Sequence, residues 1–88
     1  MNYKDSYSDE LIKKLSKIKK KESKHFIIIK KKIDQIIANP EYRYKDLHNS
    51  MKGLKRVHIG HFVLVFMIDI KNKKILFEDY DHHDKIYK

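Results

Sequence analysis

Cysteine is absent from this 88-residue chain, so neither a disulfide nor a thiolate metal site can hold it together. That absence suits a reducing cytoplasm. Proline occurs once and glycine twice, which leaves little room for loops and no Gly/Ser or proline-rich linker. No apolar run approaches the roughly 18 residues of a membrane span, and the opening MNYKDSYSDE lacks a signal-peptide core. The expectation is one cytoplasmic domain over residues 1–88, with no membrane segment. Acids are the minority charge: 12 Asp and Glu against 21 Lys and Arg give a formal +9. Such an excess attracts polyanions and makes their binding salt-dependent. A compositional bias toward lysine is the bland alternative, but one that raised Lys and Glu together would not leave the charge one-sided.

The first half of the chain carries a helical rhythm. Ser8 precedes Leu11, Leu15 and Ile18 at helical spacing, with Asp9 and Glu10 suited to a first turn. The stretch KKKESK, residues 19–24, breaks this pattern, and Ser23 reads as a second N-cap. Phe26, Ile29, Ile33, Ile36 and Ile37 then outline a second buried face, ended by Asn39-Pro40. The isoleucine run at 27–29 also has strand character, but the longer periodicity favours a helix.

After Pro40 the period changes to two. Leu54–Ile59 alternates, Gly60-His61 is a tight turn, and Phe62–Ile68 is a continuous apolar strand. Asp69–Lys74 supplies a polar turn before a third strand, Ile75–Tyr80, while Tyr3–Ser6 has the composition for a short first one. The expected class is α+β: an N-terminal helical hairpin packed on a small antiparallel sheet.

Alternation places chemistry. If Val57 and Ile59 face the helices, Arg56 and His58 share the other face, about 7 Å apart along the strand. Val63, Val65 and Met67 would give that face an apolar floor. The C-terminal EDYDHHDKIYK adds His82 and His83 among three aspartates. Adjacent histidines seldom ligate one ion well, and structural zinc spacings are absent, so no metal is assigned.

Taken in order, Asn39-Pro40, Leu47, the segment KRVHIGHFVLVF (55–66) and FEDYDHHDKIY (77–87) resemble the RelE/ParE toxin superfamily over essentially the whole chain. The resemblance implies a microbial-ribonuclease-like fold and the toxin of a type II toxin–antitoxin pair. It implies a ribosome-associated endoribonuclease that cleaves mRNA without metal or cofactor, by attack of the ribose 2′-OH on the adjacent phosphate. The implied partner is an acidic RelB-like antitoxin that covers or displaces the C-terminal segment, a pairing compatible with higher-order complexes.

By the same resemblance His58 is a candidate base, Arg56 a phosphate contact, His83 a second catalytic group and Tyr87 a closing aromatic. His61 and Phe62 match a polar-plus-aromatic pair beside the turn, with Lys55 and His82 as flanking RNA contacts. One position departs from the family: Val63 stands where many ribonuclease members carry arginine. A histidine mechanism survives that change, because imidazole titrates near neutrality. A ParE-like gyrase inhibitor, acting by binding alone, and a plain basic nucleic-acid-binding module are the competing readings.

The remaining features have weaker claims. Lys13, Lys14, Lys17, Lys20, Lys30, Lys31 and Lys32 are candidates for a phosphate-backbone footprint, or simply solvated helix faces. Tyr42-Arg43-Tyr44 is a basic aromatic loop suited to base stacking or to packing on the sheet edge. His25 and His48 are expected at the surface.

Overall fold

The computed structural model describes residues 2–48 and 53–87. In chain order they form β1 (Lys4–Tyr7), α1 (Asp9–Lys21), α2 (Ser23–Ala38), β2 (Lys45–Asp46), β3 (Lys55–Ile59), β4 (Phe62–Asp69), β5 (Lys74–His82) and α3 (His83–Ile86). The α+β class holds.

Ser8 starts α1 as the sequence predicts. Its hydroxyl accepts the Leu11 N–H at 3.1 Å and donates to the Glu78 carbonyl at 2.5 Å, so one side chain ties the helix start to β5. Asp9 and Glu10 occupy the first turn and Lys19, Lys20 and Lys21 the last, each complementing the helix dipole. Ser23 is not a cap. The junction is a single residue, Glu22, whose N–H donates to the Ile18 carbonyl, and Ser23 is already inside α2. At the far end the Asn39 N–H bonds the Gln35 and Ile36 carbonyls, and Pro40, lacking an N–H, closes the helix. Of the three consecutive isoleucines only Ile29 reaches the core; Ile27 and Ile28 stay about half exposed. A helix distributes them that way, and a strand buried on both faces would not.

The strand order is β1-β5-β4-β3-β2. The antiparallel meander β3–β4–β5 is present, but β1 joins β5 in parallel, so the sheet is mixed rather than purely antiparallel. Parallel neighbours need a long crossover, and everything between Tyr7 and Lys74 supplies one. The first strand runs over Lys4–Tyr7, one residue later than Tyr3–Ser6.

Both long helices cover one face of the sheet. Leu11, Ile29, Ile33 and Ile36 meet Leu64, Phe66, Ile75, Phe77 and Tyr80 there. Phe77 and Tyr80 are three residues apart and still share this face because of a bulge. Val65 pairs with Asp79 and Phe66 with Phe77, leaving Glu78 unpaired in the ladder. The bulge resets the alternation, which sends Asp79 and Asp81 to the opposite face. That face bears the chemistry.

Candidate active site

Register defines the site. Val63 pairs with His58 on one side and Asp81 on the other; Val65 pairs likewise with Arg56 and Asp79. Residues directly opposite in an antiparallel sheet project the same way, so these six share the face the long helices leave uncovered. Val63 and Val65 are buried and form its floor. Lys45 of β2 pairs with Arg56 and joins the same row, a cation the sequence reading missed. A two-residue strand has no periodicity from which its register could be read.

α3 closes over this face. His82 leads into it, its Nδ1 accepting the Asp84 N–H at 3.3 Å, while the His83 N–H donates to the His61 carbonyl at 2.8 Å. The second bond fastens α3 to the β3–β4 turn. Tyr87 caps α3, its N–H donating to the His83 carbonyl at 3.0 Å, so the two side chains, four apart, project together. Their rings lie 4.6 Å apart by centroids, and His58 sits 5.9 Å from His83 and 6.4 Å from Tyr87 in near-parallel stacking with the tyrosine. Residues from β3 and the chain end therefore form one cluster beside Arg56.

His58 is biased toward neutrality. Partial loss of solvent lowers its pKa first, followed by the charges of Arg56, His83 and Lys45. Protonating His83 thus disfavours protonating His58, the arrangement a one-base, one-acid pair needs.

Other candidates stand elsewhere. His82 turns away from His83, stacking on His61 with 6.2 Å between centroids and meeting Phe62 edge-on at 5.5 Å. Among the described residues no three His, Asp or Glu side chains converge to hold a metal ion. Phe62 faces the helices rather than the open face, stacking on Tyr80 at 5.2 Å. Lys55 pairs with Phe66, on the helix side, and its ammonium bonds the Asp46 carboxylate at 2.5 Å. Arg56 bonds the Asp46 carbonyl through Nε at 3.2 Å, which steadies it on the strand. His48 is exposed. His25 is not a free surface residue: its Nε2 lies 2.6 Å from the hydroxyl of buried Tyr80, and its ring packs edge-on against Phe62. Position 25 lies in the first turn of α2, four residues before buried Ile29, so helical spacing puts it on the inward stripe, a signal the sequence reading passed over.

Lys13, Lys17, Lys20 and Lys31 are exposed. Lys14 is not available as a backbone contact. It reaches round β5 to Asp79 at 2.7 Å and Asp81 at 2.8 Å. Lys30 pairs with Asp34 at 2.8 Å. Burial opposes the Lys14 charge, yet bonds to both carboxylates outweigh it and raise its pKa. Burial likewise opposes the Asp81 charge, and Lys14, the His82 N–H and Lys85 together bring its pKa below the ordinary aspartate value of 3.8. A depressed folded pKa contributes stability that is present above 3.8 and lost as pH falls through the lower folded value. Lys14→Met should cost on the order of 1 kcal/mol at neutral pH. It should also flatten the acid limb of a Tm-against-pH series, which thermal melts between pH 2 and 7 will read.

No protein-family profile matches the chain. An uncharacterized protein of Methanosarcina mazei is 54% identical over 79 residues, covering 89% of this chain and 91% of that protein. A Methanocaldococcus jannaschii protein named "Putative toxin RelE4" is 48% identical over 81 residues, covering 91% of this chain and 82% of its own length. In structure, a chain of the E. coli DinJ–YafQ toxin–antitoxin complex superposes with a TM-score of 0.77 over 100% of both chains, at 21% identity. Sequence identity at this level over nearly the whole length, joined to the shared fold, makes the chain a member of the RelE toxin family.

Proposed function

We propose that this RelE-family toxin is a ribosome-associated endoribonuclease whose chemistry is carried by His58 and His83. The observation that supports it is the clustering of both imidazoles with Tyr87, beside Arg56, on the open face. In the proposed step neutral His58 takes the proton from a ribose 2′-OH, and the freed oxygen attacks the adjacent phosphorus. Arg56 offsets charge on the phosphorane, with Lys45 beside it. The bond from phosphorus to the 5′-oxygen breaks, and protonated His83 supplies that oxygen with its proton. The products are a 2′,3′-cyclic phosphate and a 5′-hydroxyl, with no cofactor assigned. Tyr87 holds His83 and His58 in register and offers a face for the neighbouring base.

RNA carrying a single 2′-deoxynucleotide at the cut position tests the reading. Cleavage should stop at that position alone, with and without added ribosomes as parallel arms. Cutting that persists there would exclude 2′-OH attack.

A partner follows from charge: an acidic antitoxin of the kind paired with YafQ-like and RelE-like toxins should neutralise the basic surface and lift or cover α3. Co-expression with the neighbouring reading frame should give a co-purifying complex and suppress toxicity.

One observation favours a second reading. Val63 is a buried floor residue, so it makes no phosphate contact where many family ribonucleases place arginine. A toxin that inhibits gyrase by binding alone would not need that contact. Supercoiling and transcript integrity measured in the same induced cells separate the two.

A further inference from the structure

The loop Tyr42-Arg43-Tyr44 takes no part in the mechanism above, yet it is built with some care. Tyr44 is anchored twice: its hydroxyl donates to the Asn39 carbonyl at 2.8 Å, and its ring meets buried Phe66 edge-on at 5.2 Å. Tyr42 leans on Tyr44, with 5.0 Å between centroids, and remains 69% exposed. An aromatic ring held by its neighbour but open to solvent loses little freedom when something stacks on it. Beside it lies a concavity of about 460 Å³, walled by Ile36 and Val57, floored by Tyr44 and rimmed by Lys32 and Gln35. Apolar walls, two aromatic rings, the amides of Gln35 and Asn39 and one cation are the chemistry of a nucleobase with its phosphate.

Its position matters as much. Val57 lines this concavity on the helix side of β3, while Arg56 and His58, its chain neighbours, project on the catalytic side. β2 pairs with β3 at Lys55 and Arg56 and the Leu47 N–H bonds the Leu54 carbonyl, so among the described residues the ladder does not extend to Val57. A single strand passing the β3 edge at Val57 thus meets both faces within one or two residues of rise, about 3.3 Å each.

We propose that this concavity is a second RNA contact, in which Tyr42 stacks on one unpaired nucleobase while Lys32 meets its flanking phosphate. The site holds an RNA strand bent round the β3 edge, with a neighbouring phosphate at His58. This rests on the ribonuclease reading for the direction of the strand, although stacking itself requires no cleavage. An exposed ring face with a single cation, and not a row of cations, suits a stacked nucleobase better than an acidic peptide.

The test uses the full chain with His58→Ala, which keeps RNA intact, and a short single-stranded RNA containing 2-aminopurine. Stacking on Tyr42 should quench the probe. Adding Tyr42→Phe should leave affinity and quenching unchanged, whereas Tyr42→Ala should weaken binding about tenfold and abolish the quench. Because Tyr42 is exposed, the alanine variant should keep its circular dichroism and melting temperature. Equal affinity and quenching in Tyr42→Ala would overturn the proposal while leaving the ribonuclease reading intact. Loss of antitoxin affinity with unchanged RNA binding would also overturn it, and would assign the concavity to the protein partner. Tyr42-dependent stacking by a chain that, with His58 restored, cuts no RNA would uphold the contact and sink the ribonuclease.

Discussion

His83→Ala should lower the rate of RNA cleavage by about 10²–10⁴-fold, the usual worth of a positioned general acid. The side chain is exposed and its backbone bond to His61 is independent of the imidazole, so folding should be unaffected. His58→Ala should cost a similar factor, and the double variant little more than either, because base and acid serve the same displacement at phosphorus. Induced cells should regain growth in step with the lost cleavage. Full toxicity in both variants would remove the histidine mechanism. The pH profile adds a sign. As a base, His58 acts when neutral, and its pKa lies below the ordinary 6.5. Activity should therefore fall on the acid side only below that value. Arg56→Gln removes one of the charges that lower it, so the acid limb should move to higher pH as the rate falls.

Phe66→Ala should cost about 3–5 kcal/mol, a large part of the stability available to a small domain. Phe66 is fully buried and sits between Phe77, at 5.9 Å, and Tyr44, at 5.2 Å. The melting temperature should drop by at least about 12 °C, given roughly 4–8 °C per kcal/mol at this size. Ile12→Ala is the matched control: Ile12 is 51% exposed and should change stability by no more than about 0.5 kcal/mol. Chemical denaturation followed by circular dichroism reads both. A Phe66→Ala chain as stable as its parent would mean that the packed face is not the core. Since Tyr44 leans on Phe66, the same variant should also loosen the Tyr42 platform.

Much of the architecture was legible because apolar spacing states a period. Leu11, Ile29, Ile33 and Ile36 recur at helical intervals, Val57 and Ile59 alternate, and Ser8 and Asn39-Pro40 mark ends with their own hydrogen-bond chemistry. The Ser23 cap failed because Lys19–Glu22 has no apolar residue to show where α1 stops. Phe62 and Lys55 entered as RNA contacts through the family resemblance alone, and the alternation that puts Val63, Val65, Arg56 and His58 on the open face sends both to the helix side. There Lys55 meets Asp46, a partner that only β2 provides.

Charge sign, absence of thiols, two amphipathic helices and a basic strand with Arg56 and His58 on one side follow from residue order alone, because each is local or cumulative. The rest depended on contacts between segments far apart in the chain. Parallel pairing of β1, the Glu78 bulge that turns Asp79 and Asp81 toward Lys14, and the bond between His25 and Tyr80 are of this kind. So is the choice between two adjacent histidines. His82 and His83 have the same chemistry and differ by one position. A single turn of helix, held by the His61 carbonyl, sends one to His61 and the other to His58.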